Sequence, residues 1–456
     1  MKTENLYGEK SKCCGCWGCY NICPKSAITM EQDNEGFLYP SIDENVCIDC
    51  KMCLKVCPIK TAIERKNIND SKPHIGIINL QHTQNYGAAI AASVLETVVR
   101  RIVDDKYDVV TIDYQPKKVF ANPIAQIKDS IKDVGGIKLY YKVHYAKKSG
   151  ITPLTKEQRD ERNRSFLIYK DRFLNLTETF NDAFKINEQV NYKAFITGSD
   201  IVWAPKKADN YRADGYFLKF ANKGEKRIAY APSIDCKQGK KLHKLEKVYK
   251  ENLDTIDCVS VREKDSIAYL QRLTEKKVYE CCDPAFLFNS SDYDEMINSS
   301  NVIRDDNPFI YVYILEYNPE IVEYANKLAK EKNLKICYFS RYHSDYIDGS
   351  EDCYTDGPAE FLYRLKNAKY VLTNSFHCVV FSLLFHKSFL SFNRSKISVK
   401  SSDLLMKMGL EDRLINSESA EVDVDKNIDF ERIDSKLNEI RLDSLQYLTN
   451  ALLDLL

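Results

Sequence analysis

Eight cysteines crowd the start of the chain in two arrays of identical spacing, Cys13-x2-Cys16-x2-Cys19-x3-Cys23-Pro24 and Cys47-x2-Cys50-x2-Cys53-x3-Cys57-Pro58. In this spacing the first three thiolates of a run hold one [4Fe–4S] cubane, while the fourth, set beyond a short turn and followed by proline, reaches the other cluster. The expected ligand sets are therefore Cys13, Cys16, Cys19 and Cys57 for one cluster, and Cys47, Cys50, Cys53 and Cys23 for the other. Two tetrahedral zinc sites or a disulfide knot are the competing readings. Zinc modules, however, pair Cys-x2-Cys halves across a longer loop, without a third cysteine at x2 or a Cys-Pro step. Cys14 falls outside the register and is read as a non-ligand.

At 456 residues the chain is far longer than such a cluster module, so most of it must fold as something else. Lysine plus arginine balances aspartate plus glutamate at 66 each, which removes any global electrostatic argument for a nucleic-acid partner. The first twelve residues are polar and charged, unlike a secretion signal, and apolar runs such as Val379 to Phe385 fall short of a membrane span. A soluble, cytoplasmic protein with no integral membrane segment is expected. Seven further cysteines (Cys236, Cys258, Cys281, Cys282, Cys337, Cys353, Cys378) lack ligand spacing and read mostly as small buried hydrophobes, in a reducing compartment that suits clusters.

The cluster module is expected to occupy residues 1–60, with a polar linker over 61–73 closed by Pro73. His74 to Leu80 is an apolar run suited to a buried parallel strand, followed by a helix from Tyr86 and a strand over Tyr107 to Tyr114. The same βαβ rhythm returns after residue 190 and implies parallel sheets covered by helices. Strands are expected at Ala194–Thr197, Arg227–Ala231, Cys258–Val261, Val278–Cys281, Phe309–Leu315, Lys335–Phe339, Tyr370–Thr373 and Ser388–Ser391. The polar stretch Asp292 to Asn307 marks a boundary near 305, dividing the body into halves 74–305 and 306–427. Residues 115–189 carry no strand rhythm and read as a basic helical insertion whose charged run, Lys156 to Arg164, is a solvated face. Ile433, Leu437, Ile440, Leu445, Leu448, Leu452 and Leu455 keep near-helical spacing, so an amphipathic helix over 428–456 should pack back onto the body.

Short polar signatures sit where strands should end, which is where open α/β sheets place ligands. Gln81-His82-Thr83-Gln84-Asn85-Tyr86-Gly87-Ala88, Thr197-Gly198-Ser199-Asp200-Ile201-Val202-Trp203, Ser260-Val261-Arg262-Glu263, Asp283-Pro284 and Asn374-Ser375-Phe376-His377 resemble the ordered landmarks of the polysaccharide pyruvyl transferase family, over roughly residues 74 to 415. That resemblance implies a GT-B-like body of two Rossmann-like domains facing across a cleft. It also implies transfer of a pyruvyl group from phosphoenolpyruvate to a glycan hydroxyl, as a ketal, in cell-surface polysaccharide biosynthesis. The N-terminal part, including Glu35-Gly36-Phe37-Leu38-Tyr39-Pro40, resembles the ferredoxin unit of F420 hydrogenase/dehydrogenase beta-subunit-like proteins. The fold class is thus α/β, with a small α+β two-cluster ferredoxin domain in front.

Ketal transfer from an enol phosphate needs a proton for the methylene carbon, stabilisation of the cationic carbon, and cations for carboxylate and phosphate. His377, at a strand end and helix start, is the candidate general acid; a structural histidine is the alternative. Arg262 is the candidate anion clamp, or else a salt-bridge partner of Glu263 or Asp265. Asn85, Tyr86 and Gly87 lie at a helix start where backbone N–H groups can receive an anion. Asp200, beside Ser199, can take a proton from an acceptor hydroxyl or merely cap a helix. Asn374 and Ser375 flank the histidine, and His82 is a second acid or substrate contact. Tyr86 and Trp203 can stack on a sugar or pack, and Asp283-Pro284 reads as a turn. Arg394 to Lys400, with Arg413 beyond, is a candidate phosphate or polymer contact, with ordinary surface charge as the favoured reading.

This chain has Ser375 where better-characterised pyruvyl transferases often carry arginine, and Ile201 and Ala204 where relatives read glutamine and asparagine. Ketal formation moves no electrons, so the clusters have no necessary part in it. The alternatives are a ferredoxin-fed oxidoreductase holding a redox substrate in the cleft, or an electron-transfer subunit with a redox partner protein. The body contains no G-x-G-x-x-G fingerprint to support a dinucleotide.

Overall fold

The computed structural model describes Leu6, Cys13 and residues 17–33, 36–50, 52–55, 72–116, 155–188, 190–208, 212–234, 242–302, 307–316, 318–340, 347–393, 399–415 and 423–456. Cys16, Cys57, residues 61–71 of the linker, most of the 115–189 insertion and Arg394 to Ser398 lie outside the described residues.

The N-terminal module contains an antiparallel hairpin of β1 (Ile28–Gln32) and β2 (Leu38–Ile42), with Met30 opposite Pro40. Leu6, Ile28, Ile42 and Cys53 form its small core, against which Cys19, Cys23 and Cys47 pack. A unit of this size normally needs bound metal to hold it.

The body contains two parallel sheets. The first joins β3 (His74–Ile78), β4 (Asp108–Tyr114), β5 (Leu176–Phe180), β6 (Tyr192–Thr197), β7 (Lys226–Ala229), β8 (Cys258–Val261) and β9 (Val278–Glu280), in the spatial order β5-β4-β3-β6-β7-β8-β9. The second joins β10 (Phe309–Ile314), β11 (Lys335–Ser340), β12 (Glu351–Asp352), β13 (Tyr370–Thr373), β14 (Ser388–Phe392) and β15 (Leu414–Ile415), in the order β12-β11-β10-β13-β14-β15. Counted from its own first strand, the second sheet runs 3-2-1-4-5-6 and the first runs 3-2-1-4-5-6-7, the doubly wound order in which the chain reverses direction beside that first strand. The central strands are continuous apolar runs because helices cover both faces; every residue of β3 and of β10 is buried.

Six helices carry the argument below: α1 (Tyr86–Val103), α2 (Lys156–Phe173), α3 (Pro358–Asn367), α4 (Phe376–Leu384), α5 (Val399–Met408) and α6 (Phe430–Leu452). Asn85 caps α1, its side chain accepting from the Gly87 and Ala88 amides, a contact that stabilises a helix start by about 1 kcal/mol. From the end of the second sheet α6 returns to the first half. Its Ser444 hydroxyl accepts from the Cys282 amide at 2.9 Å, Arg441 Nε donates to the Phe286 carbonyl at 2.7 Å, and the Tyr447 hydroxyl donates to the Ala229 carbonyl at 2.9 Å.

Two expectations need correction here. The stretch read as lacking strands supplies β5, an edge strand whose Glu178 and Thr179 are exposed, so it shows no apolar run. The charged run in α2 is not wholly solvated either, because Arg162 is 4% exposed. Its guanidinium lies 4.5 Å over the Tyr86 ring and 4.9 Å over the Phe339 ring, and donates to the Tyr354 carbonyl at 2.8 Å and to the Tyr86 hydroxyl. The Tyr86 hydroxyl in turn donates to the Asp356 carbonyl at 2.8 Å, so this pair ties the first half to the second.

Candidate functional site

The carboxyl ends of four successive strands of the first sheet each deliver a polar side chain to one place. Asp200 follows β6, Ser233 follows β7, Arg262 and Glu263 follow β8, and Asp283 follows β9. The second half meets them with His377 in the first turn of α4, after β13, and with Lys400 at the start of α5, after β14. Strand ends at a point of topological reversal are where doubly wound sheets bind ligands. Here two such edges face each other.

Arg262 organises the cluster. Its Nη1 donates to Asp283, Nη2 to the Ser233 hydroxyl at 3.0 Å and to Asp200 Oδ1 at 3.4 Å, and Nε to Glu263 Oε1 at 3.2 Å. Its guanidinium carbon also stands 5.2 Å over the Phe376 ring. Lys400 Nζ lies 3.5 Å from Asp200 Oδ1 and 3.7 Å from Glu263 Oε1. His377 Nε2 lies 3.7 Å from Asp283 Oδ2. Burial alone would raise the Asp283 carboxyl, but the His377 imidazole and the Arg262 guanidinium beside it hold it down at about 2. Burial, and then the Arg262 charge, push the Lys400 ammonium below its ordinary range. Three carboxylates, Asp200, Glu263 and Asp283, thus share two cations, with the His377 imidazole beside Asp283.

Position 87 explains why a glycine opens α1. A Cβ built there would overlap the His377 ring, so only glycine lets the two helix starts, one from each sheet, approach so closely.

The other residues singled out from the sequence are placed as follows. The Asn85 carboxamide is engaged in capping, so the Gly87 amide expected to receive an anion already has an acceptor, as does the Ala88 amide beside it. Tyr86 is 1% exposed and stacks on Phe361 at 4.7 Å. The Ser199 hydroxyl donates to the Ala231 carbonyl at 2.8 Å. Asn374 bridges two loops of the second sheet, accepting from the Leu315 amide at 2.8 Å and donating to the Glu316 carbonyl at 2.6 Å. Ser375 stands at the N-cap of α4 without a side-chain cap bond. His82 is half-buried in the loop after β3. Trp203 is enclosed, stacked on Phe217 at 4.9 Å. The structure therefore brings His377, Arg262 and Asp200 together, and sets Tyr86, Asn374 and Ser199 into the framework around them.

Asp200 does not cap the short helix that follows it; its carboxylate turns to Arg262 and Lys400. Asp283 was read as a turn former and Lys400 as surface charge, yet both belong to the cluster. Arg413, read the same way, is 1% exposed and donates to the Val424 carbonyl at 3.2 Å. The signal for Asp283 was its strand-end position. For Lys400 the signal was its place in the basic stretch Arg394 to Lys400, which reads as readily as surface charge.

At the other end of the chain Cys23, Cys47, Cys50 and Cys53 line one small pocket, together with Pro24 and Ile48. These are the four residues that the spacing assigns to the second cluster, drawn from both arrays. Burial pushes the Cys53 thiol up to about 12, with the Cys50, Cys23 and Cys47 thiolates adding to it. Such a set charges fully only against a cationic group, which is what an iron–sulfur core supplies. Of the first set, Cys13 and Cys19 are described and half-buried. Cys50 also lines a larger pocket shared with Ser165, Tyr169 and Phe173 of α2.

A cleft between two facing Rossmann-type sheets, joined to a four-cysteine cavity in a separate module, defines an iron–sulfur α/β protein with a GT-B-like body. Residues 85–396, more than half of the sequence, match the polysaccharide pyruvyl transferase family, and the chain belongs to it. Residues 12–61 match the 4Fe-4S dicluster domain. Among curated proteins, an uncharacterized ferredoxin of Methanocaldococcus jannaschii is 38% identical over 50 residues, covering 11% of this chain and 64% of that protein. Pyruvate synthase subunit PorD of the same organism is 37% identical over 51 residues, covering 11% of this chain and 55% of that one. Among solved structures, UDP-N-acetylglucosamine 2-epimerase from Rickettsia bellii aligns over 82% of this chain and 97% of its own, at 10% identity and a TM-score of 0.40. The UDP-GlcNAc 2-epimerase from Neisseria meningitidis aligns over 83% and 94%, at 7% identity and a TM-score of 0.41. Among the described residues no helix is long and apolar enough to cross a membrane.

Proposed function

We propose that the cleft transfers a pyruvyl group from phosphoenolpyruvate to a glycan hydroxyl. The observation that carries this reading is the pairing of His377 with the buried, ionised Asp283 where the two sheets face each other. A histidine held against a carboxylate can carry a proton at neutral pH and deliver it to carbon.

In this reading His377 protonates the methylene carbon of phosphoenolpyruvate, making it a methyl group and leaving C2 electron-deficient. The acceptor hydroxyl adds to C2 and gives its proton to Asp200. The bond from C2 to the phosphate oxygen then breaks, phosphate leaves with that electron pair, and a second acceptor hydroxyl adds to C2, closing the ketal and returning its proton to His377. Lys400 and the uncapped first turn of α4 receive the anionic groups. Arg262 acts through the carboxylates it holds rather than as a free clamp. No oxidation state changes overall, so the iron–sulfur clusters, which carry single electrons when bound, stand outside the reaction.

The test is phosphate release from phosphoenolpyruvate by the anoxically purified protein, with candidate glycan acceptors. Release that is independent of cluster reduction, and lost in His377→Ala with iron content unchanged, supports the assignment. Undiminished release in that variant removes His377 as the acid.

A second reading has one observation in its favour: Cys50 shares a cavity with Tyr169 and Phe173, so the second cluster borders the body. In that reading the clusters pass electrons to a substrate in the cleft. Turnover that requires an electron donor would select it over the transferase.

A further inference from the structure

The cysteines outside the two arrays were read from the sequence as small buried hydrophobes, and for Cys281, Cys282 and Cys378 burial agrees. Cys337 and Cys353 stand apart from these because of what surrounds them. The parallel pairing of β11 with β12 sets Cys337 directly opposite Glu351, and the Cys353 amide continues the ladder by donating to the Tyr338 carbonyl at 2.8 Å. Residues two apart on a strand share a face, so Glu351 and Cys353 project to the same side. Both sulfurs and a Glu351 carboxylate oxygen consequently lie within 4.8 Å of one another. Cys337 Sγ lies 3.5 Å from Glu351 Oε2.

We propose that Cys337, Cys353 and Glu351 form a third metal centre, separate from the cysteine arrays, that binds a borderline-soft divalent cation of the zinc class. Two thiolates with one carboxylate form a donor set that favours zinc over calcium or magnesium. Zinc–sulfur bonds of about 2.3 Å in a tetrahedral arrangement put the two sulfurs about 3.8 Å apart, within the 4.8 Å that bounds the present separation. Glu351 is exposed while both sulfurs are buried. A fourth position on the Glu351 side therefore opens to solvent, the arrangement of three-ligand sites that keep a water.

The surroundings fit a ligand set better than a packing role. Arg364 on α3 donates through Nη1 to Cys337 Sγ at 3.5 Å, pairs through Nη2 with Glu351 Oε1 at 2.6 Å, and through Nε with Asp356 Oδ2 at 3.2 Å. Thiols serving only as apolar filler need no guanidinium and two carboxylates beside them, whereas ligands to a metal are held by such outer hydrogen bonds. Charge also balances. Binding of a divalent cation with release of two thiol protons leaves the net charge of the group unchanged, so Arg364 keeps both of its carboxylate partners.

The test is metal analysis of the full chain purified without oxygen from zinc-supplemented cells, with iron as the internal control. About one zinc per chain is expected, and zinc X-ray absorption should resolve two sulfur neighbours at about 2.3 Å with oxygen neighbours at about 2.0 Å. Cys337→Ser and Cys353→Ser should each lose that zinc with iron content unchanged, and Glu351→Gln should weaken zinc binding by about tenfold or more. Wild-type protein without zinc overturns the proposal. So does zinc with four sulfur neighbours, the signature of metal misplaced in a cluster cavity, or full zinc retention in both cysteine variants. Should those variants fail to fold, the wild-type absorption spectrum decides by itself.

Discussion

The His377 imidazole occupies the space in which a side chain at position 87 would stand, and it is this contact that brings the starts of α1 and α4 together. Replacing Gly87 by alanine must push the ring, or the helix that carries it, away from Asp283. We expect Gly87→Ala to cost about 1–3 kcal/mol, as overpacking of a tight contact does. Transfer activity should fall far more than that loss of stability explains. Urea midpoints alongside phosphate release from phosphoenolpyruvate separate the two effects; full activity in the variant would mean that the close approach is dispensable.

Asp283 gives a pH-dependent expectation. Its folded-state pKa of about 2 lies below the value of about 3.9 usual for an unfolded aspartate. A depressed carboxyl contributes stability that is fully present above the unfolded value and is lost as the pH falls from about 4 toward about 2. Asp283→Asn leaves the Arg262 guanidinium short of a buried partner, so at pH 7 it should be less stable by about 3 kcal/mol. The gap to wild type should narrow over that acid window, as followed by denaturant unfolding at each pH. A gap that stays constant from pH 7 to pH 2 would show that the Asp283 charge is not its source.

Arg162 fastens the two halves through the Tyr354 carbonyl and the Tyr86 hydroxyl. Removing it strands a buried carbonyl and empties an aromatic cage, so Arg162→Ala should cost about 2–4 kcal/mol. Limited proteolysis would then detect separation of the halves before global unfolding. Arg164→Ala, two residues on at an exposed position, should change stability by less than about 0.5 kcal/mol.

Most of the sheet framework was legible because buried parallel strands are short apolar runs. Ala194 to Thr197, Cys258 to Val261 and Tyr370 to Thr373 could be read directly, and each is a strand. The edge strand β5 was not legible, since half its side chains face water. Similar physics governs the site. His377 and Arg262 stand at strand ends, where position alone points to chemistry. Lys400 acquires its meaning only when the second sheet folds against the first, and Arg162 is hidden in a charged helix whose neighbours are nearly all solvated. The spacing rule assigns Cys23 to the second ligand set, and the structure sets it beside Cys47, Cys50 and Cys53 around one pocket.

That assignment has its own consequence. Cys23→Ala removes a ligand from the cluster held mainly by the other array, so iron per chain should fall by about half. Cys14→Ala should leave it unchanged. Iron analysis with low-temperature electron paramagnetic resonance of the reduced protein distinguishes one remaining cluster from two.

The central claim is that the cleft makes a ketal from phosphoenolpyruvate by proton transfer from His377. The most direct measurement is carbon-13 resonance of anoxic protein given phosphoenolpyruvate labelled at C2 and a glycan acceptor pool. The account predicts that the enol carbon signal is replaced by a ketal carbon with stoichiometric phosphate, in wild type and not in His377→Ala, whether the clusters are oxidised or reduced. A label that appears only as pyruvate or lactate, or whose conversion demands reduced clusters, would contradict it.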